Sequence, residues 1–298
     1  IDMEKHLSRH TYGVLCCIAG GVSWGISGAI SEAFFQRYTA DPAWVTAVRM
    51  TAAGIFLMVW VTAKKQLCFG DLMKDKKSLF QIAAFSLAGL MLCQLAYLNA
   101  IRWTNSGTAT VLQNLSIAFV AVFLCITSKK LPEKPILIGI ALALFGVWLI
   151  STGGTPGSME LTPKGLFWGL AAGLGAASYS LLSRRPVERW GSLPVTGMGM
   201  LIGGLVLSAA VRAWEIPAGL DLYALVLLSA IVLLGTVGAF SLFLQGIRMA
   251  GPMKASLLSC LEPLTAAFLS AFWLHSSFSA AELVGFACIL ATVFLIRE

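Results

Sequence analysis

Charge is scarce in this sequence. Asp, Glu, Lys and Arg make up 12% of its 298 residues, about half the ~25% usual in soluble domains. A water-soluble globule of this length needs far more polar surface, so composition excludes one. Acids are scarcer than bases, 14 against 21, and the formal net charge is +7. No folded polar domain exists to carry that charge, which excludes a nucleic-acid partner. All five aspartates (Asp2, Asp41, Asp71, Asp75, Asp221) lie outside the apolar runs, so the helices hold no aspartyl catalytic pair. The three histidines (His6, His10, His275) form no H-E-x-x-H, and a zinc protease is excluded. No P-loop is present, so the chain carries no ATP-driven pump of its own. The seven cysteines include no C-x-x-C, which leaves metal and disulfide readings without support. Cys16, Cys17, Cys93, Cys125, Cys260 and Cys288 sit in apolar runs and read as small hydrophobes in helix packing. Only Cys68 is in a loop. Neither a catalytic residue nor a cofactor or metal site emerges.

Apolar sequence is abundant. Hydrophobic residues reach 58%, with 29 glycines besides, and the mean hydropathy is +0.83. A membrane-spanning helix takes ~20 apolar residues. Ten such stretches occur, at 12–34, 44–63, 79–100, 107–128, 135–152, 164–183, 195–214, 222–244, 253–274 and 280–296. The longest gap, 64–78, is too short for a domain. Transmembrane barrel strands would be shorter and alternate in polarity. The expected fold class is therefore all-α: a polytopic membrane protein of ten transmembrane helices. Lys5 and Arg9 precede the first run as in a signal peptide. That run exceeds a signal core and more spans follow, so an uncleaved first helix is expected.

Lys and Arg are unevenly shared between the two sets of loops. One set holds Lys5, Arg9, Lys64, Lys65, Lys74, Lys76, Lys77, Lys129, Lys130, Lys134, Arg184, Arg185, Arg189, Arg248, Lys254 and Arg297. The other holds Arg37, Arg102, Lys164 and Arg212. This bias predicts that both termini are cytoplasmic.

Shifted by 146 residues, the sequence matches itself. Leu98-Asn99-Ala100-Ile101-Arg102 falls on Leu244-Gln245-Gly246-Ile247-Arg248. Without a gap, Ala109, Leu112, Leu115 and Ala121 fall on Ala255, Leu258, Leu261 and Ala267. Further on, Leu137, Gly139, Ala141, Leu144, Leu149 and Ile150 fall on Leu283, Gly285, Ala287, Leu290, Leu295 and Ile296. The copies are five helices apart, an odd number, so they must lie in opposite orientations. The expectation is two inverted five-helix repeats, 12–152 and 164–296, as in many secondary transporters.

Three segments carry a resemblance. They are Gly20-Gly21-Val22-Ser23-Trp24-Gly25, Tyr97-Leu98-Asn99-Ala100-Ile101, and Gly251-Pro252-Met253-Lys254-Ala255-Ser256-Leu257-Leu258-Ser259-Cys260-Leu261-Glu262-Pro263-Leu264. With the repeat, they resemble the drug/metabolite transporter superfamily, specifically its EamA type. The last segment is similar to a bacterial inner-membrane subgroup. The resemblance covers essentially the whole chain. It implies ten helices in two inverted halves and transport of small organic molecules such as amino acids. It also implies a cavity lined mainly by the first, third, fourth, sixth, eighth and ninth helices. Family repeats often end the fourth and ninth helices with Gly-Glu, where this chain has Ser128-Lys129 and Leu274-His275.

Polar residues inside the runs are the candidate site. An ionisable group at the bilayer centre costs roughly 3 kcal/mol on insertion scales and usually faces a cavity or a partner. Glu262 lies nine residues past Met253, near mid-membrane at 1.5 Å per residue. Ser259 and Thr265 flank it at i−3 and i+3. Pro263 cannot donate a backbone bond, which frees the Ser259 carbonyl. Glu262 fits either a substrate or proton-coupling site, or a neutral hydrogen-bonded lock between helices. In the repeat-equivalent region, Thr110 and Asn114 share a face and Gln113 is adjacent; substrate binding and ordinary interhelical bonding both fit them. Glu32 and Arg49 lie at similar depths on neighbouring helices. A structural ion pair is expected, with anion recognition as the alternative. Trp24, Tyr97 and Tyr179 could wall a site, although aromatics in membrane helices commonly pack or anchor. Gln94 needs a partner in mid-helix. Gly21/Gly25, Gly169/Gly173 and Gly199/Gly203 are small-xxx-small pairs for close helix approach.

The function expected is a secondary transporter of small organic metabolites (amino acids, amines or drugs) that works by alternating access, with proton-coupled export as one form. A passive uniporter or channel-like facilitator is the alternative, and a non-transport membrane protein a third. Partners reduce to a small-molecule substrate and membrane lipid, and a monomer suffices.

Overall fold

The computed structural model describes residues 2–65, 69–129, 133–251, 255 and 258–295. Cys68, Lys130, Lys254, Arg297 and most of the run 252–257 lie outside the described residues. Eight helices are long and apolar enough to cross a membrane: α1 (Thr11–Arg37), α2 (Pro42–Ala63), α3 (Lys76–Trp103), α4 (Ser106–Ser128), α5 (Lys134–Thr152), α6 (Pro163–Trp190), α7 (Ser192–Val211) and α8 (Leu222–Ala250). Two shorter apolar helices follow, α9 (Leu261–Phe272) and α10 (Ala280–Leu295). Among the described residues there is no strand.

Local chemistry sets the helix ends. The first N–H groups of a helix have no intrahelical acceptor, so a side chain must supply one. Asp41 Oδ1 accepts from Ala43 N at 2.7 Å ahead of α2, with Pro42 in the first turn. Asn105 Oδ1 accepts from Thr108 N at 2.8 Å at the start of α4. Thr162 Oγ1 accepts from Gly165 N at 3.1 Å ahead of Pro163 in α6. Asp221 Oδ1 accepts from Ala224 N at 2.9 Å at the start of α8. Helix α6 runs past the expected end at 183 to Trp190, where Arg184, Arg185 and Arg189 extend it beyond the apolar stretch.

Three helices are not regular throughout, and a turn precedes a fourth. Helix α3 winds as a π-helix over Phe85–Met91, and α8 does so over Leu233–Gly238. Helix α4 is interrupted at Asn114–Leu115, and the chain turns at Ser259–Cys260 just before α9. The Ser259 carbonyl that Pro263 releases is not free, because Glu262 N donates to it at 3.1 Å in that turn. π turns are uncommon and cluster at functional sites. Each of these two contains a glycine at a tight crossing. A Cβ at Gly89 would lie 3.0 Å from the Tyr179 Cα of α6, and one at Gly235 would lie 1.9 Å from the Ser27 Oγ of α1.

Helix pairing places the polar residues. Helix α1 packs on α8 and α9, and α6 packs on α3 and α4. Helix α2 packs on α7 at one side of the molecule, while α5 and α10 pack chiefly on each other. The glycine pairs sit at close helix contacts: Gly21 and Gly25 face Leu261 and Thr265 of α9, and Gly173 faces Leu115 of α4. A Cβ at Gly25 would sit 2.6 Å from the Glu262 carbonyl oxygen. Gly203 lies against Met50 of α2.

The two ends of the bundle are distinct. At one end Arg37 pairs with Asp221 at 3.6 Å, the Tyr38 hydroxyl donates to Asp221, and Arg102 Nη1 donates to the Phe35 carbonyl at 2.6 Å. Trp44 Nε1 donates to the Ala213 carbonyl there at 3.0 Å, and the Lys164 ammonium sits 4.4 Å from the Trp103 ring centroid. At the other end Arg189 pairs with Asp75 at 2.7 Å.

Candidate functional site

Two buried polar clusters lie inside the bundle, and the expected Glu32–Arg49 ion pair belongs to neither. Glu32 of α1 is 4% exposed. Its Oε2 accepts from Ser106 N at 2.8 Å and Ser106 Oγ at 2.7 Å. Its Oε1 accepts from Ser276 Oγ at 2.7 Å and Ser270 Oγ at 3.1 Å. The backbone donor is a first-turn N–H of α4, where the helix dipole also favours a negative charge. Four donors satisfy the carboxylate without a cation. It thereby ties α1 to the start of α4, the end of α9 and the loop leading to α10. Sequence reasoning placed Glu32 and Arg49 at similar depths but could not give the rotation of each helix, and these two side chains face different neighbours.

Arg49 points instead into the second cluster. It is also 4% exposed. Its Nε donates to Thr236 Oγ1 at 3.0 Å, in the π turn of α8. Its Nη1 is buried with no acceptor. No acid reaches ion-pair distance of it among the described residues. The π turn matters here: it carries Thr236 toward α2, and the Thr236 hydroxyl turns back on the Ile231 carbonyl at 3.4 Å.

Around Arg49 the other members come from four helices. The Tyr97 hydroxyl of α3 and the Thr110 hydroxyl of α4 are 2.9 Å apart, and Thr110 Oγ1 also donates to the Ser106 carbonyl at 2.7 Å. Gln113 Nε2 donates to Cys93 Sγ at 3.2 Å. Tyr179 of α6 packs its ring 5.4 Å from that of Phe85. Glu262 of α9 is partly accessible, and its carboxylate makes no hydrogen bond among the described residues. The same stretch of α1 meets both it and Tyr97: a Cβ at Gly25 would sit 2.6 Å from the Glu262 carbonyl oxygen, and one at Gly28 2.6 Å from the Tyr97 hydroxyl. It faces the interior rather than lipid.

The structure therefore brings Tyr97, Thr110, Gln113, Tyr179 and Glu262 to one region, and adds Arg49. It spends the remaining candidates elsewhere. Trp24 packs edge-on against Phe240 at 5.0 Å and tilted against Phe243 at 4.9 Å, both of α8. Asn114 donates to the Thr110 carbonyl at 2.9 Å and closes the interruption in its own helix. Gln94 is half-buried and makes no hydrogen bond among the described residues. Ser259 stands in the turn before α9, with its N–H on the Ala255 carbonyl at 2.9 Å. Sequence reading missed Thr236, Ser106, Ser270 and Ser276, and took Cys93 for a plain hydrophobe. Lone hydroxyls in apolar runs give no signal by type. Only Asn105-Ser106, a cap followed by a first-turn serine, marks a helix start where a carboxylate could dock.

Comparisons with known proteins agree with this architecture. The chain matches the EamA-like transporter family over residues 11–152 and 163–297. An uncharacterised inner-membrane transporter of Salmonella typhimurium, YicL, is 32% identical over 95% of this chain and 94% of its own. The uncharacterised transporter YwfM of Bacillus subtilis is 25% identical over 92% of this chain and 89% of its own. A crystal structure of another protein shares the fold with a TM-score of 0.60, covering 97% of both chains at 15% identity. The chain belongs to the EamA-like transporter family and is a multi-pass membrane transporter.

Proposed function

We propose that the protein is a secondary transporter that moves small organic metabolites (amino acids, amines or drugs) across the inner membrane by alternating access. Its halves, 12–152 and 164–296, act as inverted repeats about the Arg49–Glu262 region. The observation that carries this reading is an interior carboxylate, Glu262, that accepts no hydrogen bond among the described residues, in a bundle whose buried Arg49 leaves its Nη1 without an acceptor among them. A purely structural polar cluster would be expected to satisfy its members.

The repeat is supported by equivalent contacts. Pairing of α1 with α8 and α9 is answered by pairing of α6 with α3 and α4. Leu261 lies against Gly21, and Leu115 lies against Gly173. Gly89 and Gly235, in the two π turns, are themselves 146 residues apart. The two sets of helices can then rock on smooth glycine contacts. The end tied by Glu32 is closed in this arrangement, and release of its serines would open it. The Lys-rich end, with Asp75 and Arg189, is taken as cytoplasmic.

Glu262 takes and releases a proton as the cavity faces each side. Low dielectric disfavours an isolated carboxylate, so a proton or a cationic group must visit it. The test is flux into liposomes, with solutes chosen by a thermal-shift screen of amino acids, amines, nucleosides and drugs. A proton-coupled carrier accumulates solute when a pH gradient is imposed, and Glu262→Gln keeps exchange but abolishes accumulation. Flux that only runs downhill in the wild type would identify a passive facilitator instead. Absence of flux for every compound that binds would overturn the transporter reading.

A further inference from the structure

We propose that the Lys-rich end of the bundle binds the headgroup of an anionic phospholipid, in a cradle formed by the segment between α2 and α3 and the end of α6. Lys64 and Lys65 follow α2, Lys74, Lys76 and Lys77 lie about the start of α3, and all five are exposed. One buried side chain gathers them. Leu72, in the short helix Phe69–Lys74, is 2% exposed and packs with Val61 of α2, Ile82 of α3 and Met198 of α7. The segment is thus folded back on the helix it leaves, and Lys64 and Lys65 stand within about one turn of Val61. Arg189 of α6 reaches the same segment through Asp75 at 2.7 Å. Arg185, exposed and one turn earlier, shares its face.

Pairing sets this end apart. At the opposite end each of the four cations has a partner: Arg37 has Asp221, Arg212 has Glu215 at 3.6 Å, Arg102 has the Phe35 carbonyl and Lys164 has the Trp103 ring. Among the described residues, Lys65, Lys74, Lys76 and Lys77 have neither an acid nor a ring, and Lys64 has only the Trp60 ring at 5.5 Å. Asp75 is taken by Ser78 and Arg189, which leaves Asp71 against five lysines. Depth is the second observation. Phe80 is 76% exposed and Met73 66%; the first is one turn from Lys76 and Lys77, the second adjoins Lys74. Apolar side chains so open belong among acyl chains, which puts the neighbouring ammonium groups at headgroup level.

The repeat supplies an internal control. Shifted by 146 residues, 64–78 falls on 210–224, the segment between α7 and α8 at the opposite end. It too exposes large apolar side chains, Trp214, Ile216 and Leu222. Its charged residues are Arg212, Glu215 and Asp221, and all are engaged in ion pairs. Contact with the membrane interface explains what the two segments share. An acidic headgroup explains the unpaired cations that only one of them carries. Lysine excess also directs insertion, but insertion needs only their number. It does not require them to be gathered around Leu72 and left without acids.

The test uses the purified full chain in an uncharged detergent. Phosphatidylglycerol or phosphatidylcholine of the same acyl chains is added, and binding is read by thermal shift and by native mass spectrometry. Each basic residue near an acidic lipid surface tightens the attraction about 5-fold. Phosphatidylglycerol is therefore expected to bind ~10-fold or more tightly than phosphatidylcholine, and added salt should shrink that ratio. Lys74→Gln/Lys76→Gln should lose ~5-fold or more of the phosphatidylglycerol affinity. Lys129→Gln/Lys134→Gln removes as much charge from exposed positions elsewhere at the same end and should lose less than ~2-fold. Asp71→Asn removes an acid from the cradle and should tighten binding, which keeps the test decisive if the first lysine pair fails to fold. The melting temperature in phosphatidylcholine shows that each variant folds. The proposal is overturned if the two lipids bind alike, if both lysine pairs lose equally, or if Asp71→Asn weakens binding. It also falls if inorganic phosphate or glycerophosphoglycerol at matched concentration stabilises the chain as well as the lipid does, which would mark a site for free anions. Lipid binding is the only readout, so failure here leaves the transport reading in place.

Discussion

Glu32 and Glu262 are both glutamates in membrane helices, and they are handled in opposite ways. Glu32 receives four hydrogen bonds, from Ser106, Ser270 and Ser276. Glu262 receives none among the described residues, and Arg49 has an orphaned nitrogen among them. The same side chain is fully compensated in one place and left open 230 residues later. Burial cost alone does not explain the second case, since hydroxyls could have been supplied there too. The difference fits a first cluster that holds helices together and, on the proposed function, a second that holds something that comes and goes.

The largest expected effect tests the first half of that comparison. Glu32→Ala removes one acceptor group and strands a buried N–H and three hydroxyls. At ~1–3 kcal/mol per buried unsatisfied group, with some hydroxyls free to turn elsewhere, the cost should reach about 3 kcal/mol or more. The melting temperature in detergent should fall steeply, whether or not ligand is present. A variant as stable as wild type would show that the carboxylate is as dispensable as Glu262 and would erase the distinction.

Arg49 should behave in the reverse manner. Arg49→Met removes an incompletely paired buried charge and replaces it with an apolar chain of similar length. Such replacements are often neutral or stabilising by about 1–4 kcal/mol. The variant should therefore melt at or above the wild-type temperature while losing transport. Loss of both stability and transport would mean that Arg49 is structural and that its orphaned nitrogen carries no functional meaning.

Much of this was legible in the sequence. Helix identity followed from length and hydropathy, because a bilayer leaves a chain few other ways to satisfy its backbone. That the glycines of α1 and α6 mark faces of close approach followed from spacing, because a small residue every fourth position marks one face; which helix each face meets did not. The partner of each polar residue did not follow. Depth can be counted along a helix, and on that basis Glu32 and Arg49 looked paired. Which way each faces depends on helix rotation, and here on π turns at Phe85–Met91 and Leu233–Gly238 that shift register by a residue. No composition rule announced them. Thr236 meets Arg49 from inside one of these turns, which is why a single threonine in an apolar run went unnoticed.

Close packing of α1 on α9 gives a smaller and graded effect. A Cβ at Gly25 would meet the Glu262 carbonyl oxygen and the Thr265 Cβ, both at 2.6 Å, whereas at Gly21 the nearest atom, the Leu258 carbonyl oxygen, is 3.2 Å away. Gly25→Ala must push α9 outward at the level of Glu262, and overpacking of this kind costs typically ~1–3 kcal/mol. Gly21→Ala asks for a few tenths of an ångström only. Transport rates should fall in the order wild type, Gly21→Ala, Gly25→Ala, with the second loss clearly larger. Equal rates for all three would show that α1 and α9 do not need this contact and would detach Glu262 from the motion assigned to it.

The smallest effect is at the Lys-rich end, where a third carboxylate, half-buried and paired with an exposed arginine, provides the counterpart of both clusters. Asp75 Oδ2 accepts from Ser78 Oγ at 2.7 Å and from Arg189 Nη1 at 2.7 Å, and Oδ1 accepts from Ser78 N at 3.1 Å. The Ser78 bonds, more than the arginine, hold its carboxyl below the usual carboxylate range. A folded-state value below the unfolded one means that this stabilisation is complete above the ordinary aspartate range, near pH 3.9. It is lost as pH falls through the depressed value, when the folded form must also take up the proton. Asp75→Asn keeps a capping oxygen for Ser78 N but removes the charge. Wild type should therefore melt slightly above the variant at neutral pH, and the gap should close on acidification below the ordinary range. Because the pair with Arg189 is solvent-facing, salt should narrow the gap as well. A gap that persisted in acid would show that shape, not charge, joins α3 to α6 at this end. A gap as large as that produced by Glu32→Ala would mean that burial is not what separates the strong clusters from the weak one.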